Sequence, residues 1–216
     1  MSLSKLHYIF GPVPSRRLGL SLGIDVIPKK ICTLDCVYCE VGATTRNVVA
    51  RREYVAPASV NRELGMALSR EGTPPDWITF SGSGEPTLNS GLGDMIHAAK
   101  KMTQIPVAVI TNGTLLFMPE VRHDLLEADA VLPSLDAASQ EVFEQINRPH
   151  HTLRIERIID ALRLFRRMYS GQIWLEVLLV KGVNDREEEL QLLREAIEKI
   201  HPDKIQLNTV VRPPAE

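Results

Sequence analysis

The sequence contains few cysteines and few aromatic side chains, and it has no strong excess of charge of either sign. Of its 216 residues only three are cysteine and 5% are aromatic, while 25 Lys and Arg face 27 Asp and Glu, a net charge of −2. An odd number of cysteines in a chain of this length, with no visible secretory signal, argues against a disulfide framework. The near-neutral balance gives no global sign of nucleic-acid binding.

Long apolar runs are also missing. The longest one, at 173–180, is interrupted by Glu176 and is far too short to span a bilayer. We therefore expect no membrane partner, and reduced cysteines without a targeting segment predict a cytoplasmic protein. An apolar content of 44% and a charged content of 24% are ordinary for a globular protein. This length predicts one domain over 1–216, with 1–20 as an N-terminal extension.

Short β-branched runs alternate with longer amphipathic stretches along the chain. The predicted strands are 21–28, 77–80, 107–111, 130–136, 173–180 and 204–210. The predicted helices are 59–70, 90–103, 118–128, 152–169 and 185–200. Such alternation indicates βαβ units around a parallel sheet. A complete eight-fold barrel needs about 250 residues, so the expected fold is α/β, an open six-stranded parallel (βα)6 partial TIM barrel.

Two features of this predicted barrel are irregular. Pro133 falls inside the fourth strand, where a proline removes a hydrogen bond of the sheet, so we expect that strand to be short. The sequence also stops directly after the sixth strand, without a helix to cover it. We expect either that the C-terminus is truncated or that the open edge receives a substrate or a partner.

Side chains alternate across a strand, so each strand sends one set of residues into the barrel. That set is polar on every predicted strand: Asp25, Thr79, Ser81, Asn112, Ser134, Asp136, Glu176, Gln206 and Asn208. Ordinary barrel interiors are filled by branched apolar residues, and active sites of such folds lie at the carboxyl ends of the strands. A polar interior therefore predicts a binding site.

The three cysteines, Cys32, Cys36 and Cys39, lie within eight residues, on the loop after the first predicted strand. An iron–sulfur cluster normally has four thiolate ligands, so a [4Fe–4S] cluster held by three would keep one iron open. Zinc is the alternative, in a non-catalytic metal-binding module. A closed zinc site needs a fourth Cys or His nearby, and the next histidines in sequence are His7 and His97.

A glycine-rich turn, Ser81-Gly82-Ser83-Gly84-Glu85, follows the second predicted strand. Its glycines permit close approach of the backbone to a bound group. Glu85 offers a carboxylate that can accept a hydrogen bond from an ammonium group.

The cysteine spacing, Tyr38 before the third cysteine, and the turn at 81–85 together resemble the radical S-adenosylmethionine (SAM) superfamily over nearly the whole chain. The resemblance implies a [4Fe–4S] cluster on the three cysteines, with SAM at the open iron and Tyr38 near the adenine. The turn at 81–85 is similar to the superfamily's GGE motif, with Ser83 in place of the usual second glycine, and implies contact with the methionine amino group. Ser134 and Asp136 match the position that contacts the ribose or carboxylate. The stretch 180–184, with Val183, is similar to the segment against adenine.

The implied activity is reductive cleavage of SAM to a 5′-deoxyadenosyl radical, which abstracts hydrogen from a substrate. The stretch Gly11–Gly19 is similar to a group of iron–sulfur oxidoreductases related to tRNA wyosine-base synthases. Those synthases carry a second cluster, for which this sequence has no further cysteines. The substrate is then a small molecule or a tRNA base. The alternative is an activase that installs a glycyl radical on a partner protein.

The electron must come from an external donor, a flavodoxin or a ferredoxin, because three cysteines cannot hold a second cluster. Residues 1–55 carry eight Lys and Arg against four acidic residues. We expect an acidic donor to bind beside the cysteine loop, at a cluster of five basic residues: Lys29, Lys30, Arg46, Arg51 and Arg52.

Overall fold

The computed structural model of the chain describes residues 6–211 and Pro214. Its strands are β1 (Ile9–Ser15), β2 (Gly19–Asp25), β3 (Ile31–Cys32), β4 (Arg46–Asn47), β5 (Trp77–Ser81), β6 (Val107–Thr111), β7 (Ala130–Pro133), β8 (Gln172–Leu179) and β9 (Lys204–Thr209). Its α-helices are α1 (Pro57–Leu68), α2 (Leu92–Met102), α3 (Pro119–Asp124), α4 (Gln140–Asn147), α5 (Ile155–Met168) and α6 (Glu187–Ile200). A 3-10 turn covers Pro86–Leu88.

Seven of these strands form one curled sheet in the order β1-β2-β5-β6-β7-β8-β9. Every neighbouring pair from β2 to β9 is parallel, and β1 pairs antiparallel with β2. The six parallel strands of the predicted partial barrel are therefore confirmed, and the sheet forms a half-barrel. The additional strand β1 contains Pro12 and Pro14, which an edge strand tolerates because one side of it needs no partner.

The fourth parallel strand, β7, ends at Pro133 rather than at the predicted residue 136. Beyond the proline the chain keeps one isolated bridge, between Ser134 and Glu176. Leu135 then donates its amide to the Glu176 carbonyl at 2.8 Å. The expected shortening is confirmed, and it frees Asp136 from the sheet for other contacts.

Helix α4 was not expected from the sequence pattern. Ser139 caps it, with its hydroxyl accepting a hydrogen bond from the Val142 amide at 3.3 Å. Phe143 and Ile146 are buried on one face. The segment is only two turns long, which is too short for its periodicity to stand out.

The alternation along β8 separates two apolar clusters. Ile173, Leu175 and Val177 belong to the main core between the sheet and the helices. Trp174 belongs to a smaller cluster on the opposite face. The predicted division of this strand into a helix-facing set and an inward set is thereby confirmed, and it directs Glu176 into the half-barrel.

Candidate active site

The cysteine loop begins at β3 and is fixed by the end of α4. Amides of Asp35 and Val37 donate to the carbonyls of Asn147 and Ile146, at 2.9 and 3.0 Å. The Cys39 amide donates to the Cys36 carbonyl at 3.1 Å, closing a tight turn between two of the cysteines. All three cysteines are free and partly buried. The loop is thus held by backbone contacts, independently of the cysteine side chains.

Two side-chain amides, from the partly buried Asn112 and the buried Asn147, approach the first two cysteine sulfurs. Asn112 Nδ2, directly after β6, lies 3.5 Å from Cys32 Sγ. Asn147 Nδ2, the last residue of α4, lies 3.3 Å from Cys36 Sγ. Hydrogen bonds to sulfur favour the thiolate, the form that binds metal. The prediction that Asn112 faces the site agrees with this contact.

Lys30 supplies the corresponding donor to the third cysteine. It is 5% exposed, and its Nζ lies 3.1 Å from Cys39 Sγ. The sequence analysis assigned this lysine to a surface patch for an electron donor, which is wrong because the side chain is buried. A buried ammonium beside a sulfur instead suits an anionic thiolate.

Burial raises the pKa of the Cys32 thiol to about 11, with the nearby Glu85 carboxylate adding to the effect. Burial also raises the pKa of Cys36, against the opposing hydrogen bond from Asn147. Thiolates at such positions need a bound cation to offset their charge. Within residues 6–211, no group of three His, Cys, Asp or Glu side chains is arranged around a single metal ion. A multi-iron cluster does not require that arrangement, because each thiolate binds a different iron.

The turn at 81–85 is pressed against the cysteine loop. A Cβ atom on Gly84 would lie 2.1 Å from the Ile31 carbonyl oxygen, so only glycine fits there. Gly82 has a φ of 126°, a conformation that glycine adopts readily. The Ser83 hydroxyl donates to Asp25 Oδ2 at 2.5 Å. The sequence predicted an approach of this backbone to a bound group; in the structure the close approach at Gly84 is to the cysteine loop, and contact with a bound group stays a prediction.

The Glu85 carboxylate is 2% exposed and fully engaged by protein donors. Oε1 accepts hydrogen bonds from the amide and hydroxyl of Thr87 at 3.0 and 2.6 Å, and from the Thr111 hydroxyl at 2.6 Å. Oε2 accepts from the Asn112 amide at 2.7 Å. Burial raises the pKa of Glu85, and these donors oppose the rise. Glu85 therefore braces the turn that carries Asn112 to Cys32.

A second buried network joins the cysteine loop to the end of β7. The Tyr38 hydroxyl donates to Asp136 Oδ2 at 2.5 Å, and Asn147 Nδ2 donates to the same oxygen at 2.9 Å. The other oxygen, Oδ1, accepts from the Leu178 amide at 2.8 Å. Burial raises the pKa of Asp136 despite these donors. Tyr38 and Asp136, predicted separately as SAM contacts, thus contact each other.

The segment after β8 folds back on this network through Asn184, which is fully buried. Its Nδ2 donates to the carbonyls of Asp136 and Leu178, both at 2.8 Å, and its Oδ1 accepts from the Val180 amide at 2.7 Å. Val183, the predicted adenine neighbour, is half-buried in the resulting turn. Asn184 fixes the backbone of the stretch 180–184.

Three of the remaining predicted residues, Ser81, Glu176 and Asn208, line a cavity of about 540 Å³ beside Tyr38 and Cys39. Glu176 forms an ion pair with Arg17 from the turn between β1 and β2. Ser134 lies apart, at a much smaller gap shared with Asp136.

Two residues of this site, Lys30 and Asn147, were not predicted from the sequence as site residues. No signal in the sequence distinguishes them, because each reaches the site through tertiary contacts. The predicted basic patch is also partly wrong. Arg51 is largely buried, paired with Asp124 and bonded to the Thr87 carbonyl at 2.8 Å. The other three basic residues of the predicted patch are exposed: Lys29, Arg46 and Arg52.

The sequence model of the Radical SAM superfamily matches residues 26–193. The chain therefore belongs to the radical SAM superfamily, whose members are enzymes that use SAM and an iron–sulfur cluster. The cysteine loop and the turn at 81–85 both lie inside the matched range.

Among curated proteins, the chain is 44% identical over 208 residues to "GTPase Obg" of Brachyspira hyodysenteriae, covering 96% of this chain and 30% of that protein. It is 37% identical over 208 residues to "UPF0026 protein MJ1312" of Methanocaldococcus jannaschii, covering 96% of this chain and 64% of that protein. It is 36% identical over 215 residues to a UPF0026 protein of Helicobacter pylori J99, covering 99% and 69%. The chain thus spans about a third to two thirds of these relatives.

Solved structures show the same fold. Tagged anSMEcpe with bound AdoMet has a TM-score of 0.66 at 17% identity, covering 89% of this chain and 50% of that one. SuiB of Streptococcus suis, bound to its precursor peptide SuiA, has a TM-score of 0.65 at 15% identity, covering 88% and 39%.

Across residues 6–211, every helix is too short or too polar to cross a lipid bilayer.

Proposed function

We propose that this protein cleaves SAM reductively at a [4Fe–4S] cluster bound by Cys32, Cys36 and Cys39, and that the resulting 5′-deoxyadenosyl radical abstracts hydrogen from a substrate. The observation that carries this proposal is the placement of side-chain N–H donors beside all three cysteine sulfurs. Such donors suit thiolates bound to iron. The cluster supplies the electron for cleavage, while the protein orients SAM and excludes water.

The cavity beside Cys39 supports binding of SAM and of a substrate next to it. Ser81, Asn208 and Glu176, three of the residues that strand alternation directs inward, give its wall polar groups, and Arg17 adds a guanidinium group paired with Glu176. The hydrogen bond from the Tyr38 hydroxyl to Asp136 fixes the position of the tyrosine side chain at the cavity wall. We infer that Ser81, Glu176, Asn208 and the 180–184 backbone near Val183 contact SAM or the substrate.

The test is anaerobic reconstitution followed by analysis of iron, sulfide and SAM products. We expect about four irons per chain and formation of methionine and 5′-deoxyadenosine with dithionite. Cys36→Ala should abolish cleavage but leave the fold intact, because the loop is held by backbone contacts to α4. Wild-type protein that binds zinc without sulfide would instead support the non-catalytic zinc module.

For the substrate, we favour a small molecule or a tRNA base. Phe10 lines the same cavity and is 43% exposed, so its ring is available for stacking on a planar base. The exposed Arg16 lies at this wall too, where a phosphate could be bound. Stimulation of SAM cleavage by unmodified tRNA would support a tRNA base as the substrate. Stimulation by a glycine-containing protein segment would support the glycyl-radical activase alternative.

The electron donor is a flavodoxin or ferredoxin in this proposal, and the cytoplasmic location stays a prediction. Three exposed basic residues, Lys29, Arg46 and Arg52, flank the cysteine loop in sequence. An acidic donor would be steered to such a surface.

A further inference from the structure

Lys30 is a buried lysine whose ammonium group faces a cysteine sulfur. Nζ lies 3.1 Å from Cys39 Sγ, and the residue is 5% exposed. No carboxylate from the described part of the chain forms an ion pair with it. A buried charge is costly unless another charge offsets it. The structure therefore calls for an anion at Cys39.

The backbone at Lys30 gives a second reason to expect a role for this side chain. Its φ is 61°, in the left-handed region that favours glycine. Its amide donates to the Ser83 carbonyl at 2.7 Å, and its carbonyl accepts from the Thr45 amide at 3.0 Å. Glycine would satisfy the same backbone contacts without strain. Non-glycine residues in such conformations concentrate at functional sites.

We propose that Lys30 is a positioning residue that raises the reduction potential of the cluster through a charged hydrogen bond to the Cys39 thiolate. This inference rests on the proposed function. Reduction by the external donor would add one electron to a cluster bound by the three cysteines. Negative charge on the thiolates increases, so the ammonium stabilises the reduced cluster more than the oxidised one.

The three donors differ in strength. Asn112 and Asn147 are neutral amides at 3.5 and 3.3 Å from their sulfurs. Lys30 is charged and closer, at 3.1 Å. Charge-assisted hydrogen bonds are roughly twice as strong as neutral ones. Lys30 should therefore have the largest individual effect of the three on the potential.

The experiment compares the midpoint potential of the reconstituted cluster in wild type, Lys30→Met, Lys30→Arg and Lys29→Met. The potential is measured in the absence of SAM, by a redox titration followed by electron paramagnetic resonance. Lys30→Met should lower the ratio of reduced to oxidised cluster at a fixed potential about tenfold, or about 59 mV for one electron. Lys30→Arg should restore most of that ratio. The exposed Lys29 serves as the matched control and should give the wild-type value.

A Lys30→Met protein with four irons and the wild-type potential would overturn the proposal, as would an equal shift in Lys29→Met. If Lys30→Met does not assemble the cluster, the same titration is made on Lys30→Gln. A lowered potential in Lys30→Gln would support the role of the lysine charge, and an unchanged potential would overturn the proposal. Failure of the proposed function would appear earlier, as wild-type protein without iron and sulfide. The two failures are thus distinguishable.

Discussion

Arg17, in the turn between β1 and β2, forms an ion pair with Glu176 on β8. The two residues belong to opposite ends of the strand order, so the pair ties the N-terminal hairpin to the far side of the half-barrel. Glu176 is 8% exposed. Burial raises the pKa of Glu176, and Arg17 opposes the rise. The hairpin is thereby part of the cavity wall.

Removing the arginine should leave a carboxylate buried without its partner. Arg17→Met should lower the free energy of unfolding at pH 7 by about 1–3 kcal/mol, measured by urea denaturation. Arg16→Met, at the exposed neighbouring position, should change it by less than about 0.5 kcal/mol. Adding Glu176→Gln to Arg17→Met should recover part of the loss. Equal effects of the two arginine substitutions would contradict this account.

The loss in Arg17→Met should also depend on pH. Because the folded-state pKa of Glu176 is raised, the folded protein holds this proton more tightly than the unfolded chain does. The contribution of Glu176 to the free energy of unfolding therefore declines as pH rises from the unfolded-state pKa to the folded-state pKa. Without Arg17 the folded pKa rises further. Both folded-state pKa values lie above the ordinary glutamate value of 4.5, so the deficit of the variant should shrink as pH falls from 7 toward that value. A deficit that is constant between pH 4 and pH 7 would exclude this coupling.

Glu85→Ala should destabilise the protein as well as weaken SAM binding. The substitution leaves the buried donors of Thr87, Thr111 and Asn112 without their acceptor, and losing hydrogen bonds to a charged group costs about 1.5–3 kcal/mol each. Denaturation should show a loss of about 3 kcal/mol or more. Calorimetry should show SAM affinity reduced about ten- to a hundred-fold. If SAM affinity falls while stability is unchanged, the carboxylate contacts SAM directly and is not a brace.

Gly84→Ala tests the approach of the turn at 81–85 to the cysteine loop. The new methyl group would meet the Ile31 carbonyl oxygen at 2.1 Å, so the two segments must separate. We expect a loss of about 1–3 kcal/mol and fewer irons bound after reconstitution. Gly65→Ala is the matched control, because its Cβ would meet open space on helix α1. That change should stabilise the protein by about 0.5–1 kcal/mol. Equal iron content in the Gly84→Ala and Gly65→Ala proteins would contradict the contact between the turn at 81–85 and the cysteine loop.

Electron transfer from a flavodoxin should slow as salt rises, because charge-steered encounters are screened. Cleavage driven by dithionite should respond much less. Reversing the exposed charges Lys29, Arg46 and Arg52 to Glu should slow the flavodoxin-driven rate at least severalfold, as observed in product assays. Lys101→Glu with Arg186→Glu, exposed positions at α2 and α6, gives the control. Parallel slowing with both reductants would show that these residues do not bind the donor.

The alternation of β-branched runs with amphipathic stretches was enough to predict six parallel strands, because burial on both faces of a strand leaves a readable pattern. The cysteine spacing and the glycine turn likewise pointed to the radical SAM superfamily, since these residues are close in sequence. The pattern along 173–180 correctly directed Glu176 inward. Pro133 marked the end of β7 through its missing amide hydrogen.

Tertiary structure alone decided the contacts around those elements. Lys30 and Arg51 look like surface charges in sequence, yet one lies against Cys39 and the other against Asp124. Asn147 reaches Cys36 across 111 positions of sequence, through a short helix that local periodicity did not reveal. Glu85 is bound by donors from Thr87, Thr111 and Asn112. Sequence patterns record which face of an element is buried, whereas the partner of a buried polar group depends on how separate elements meet in space.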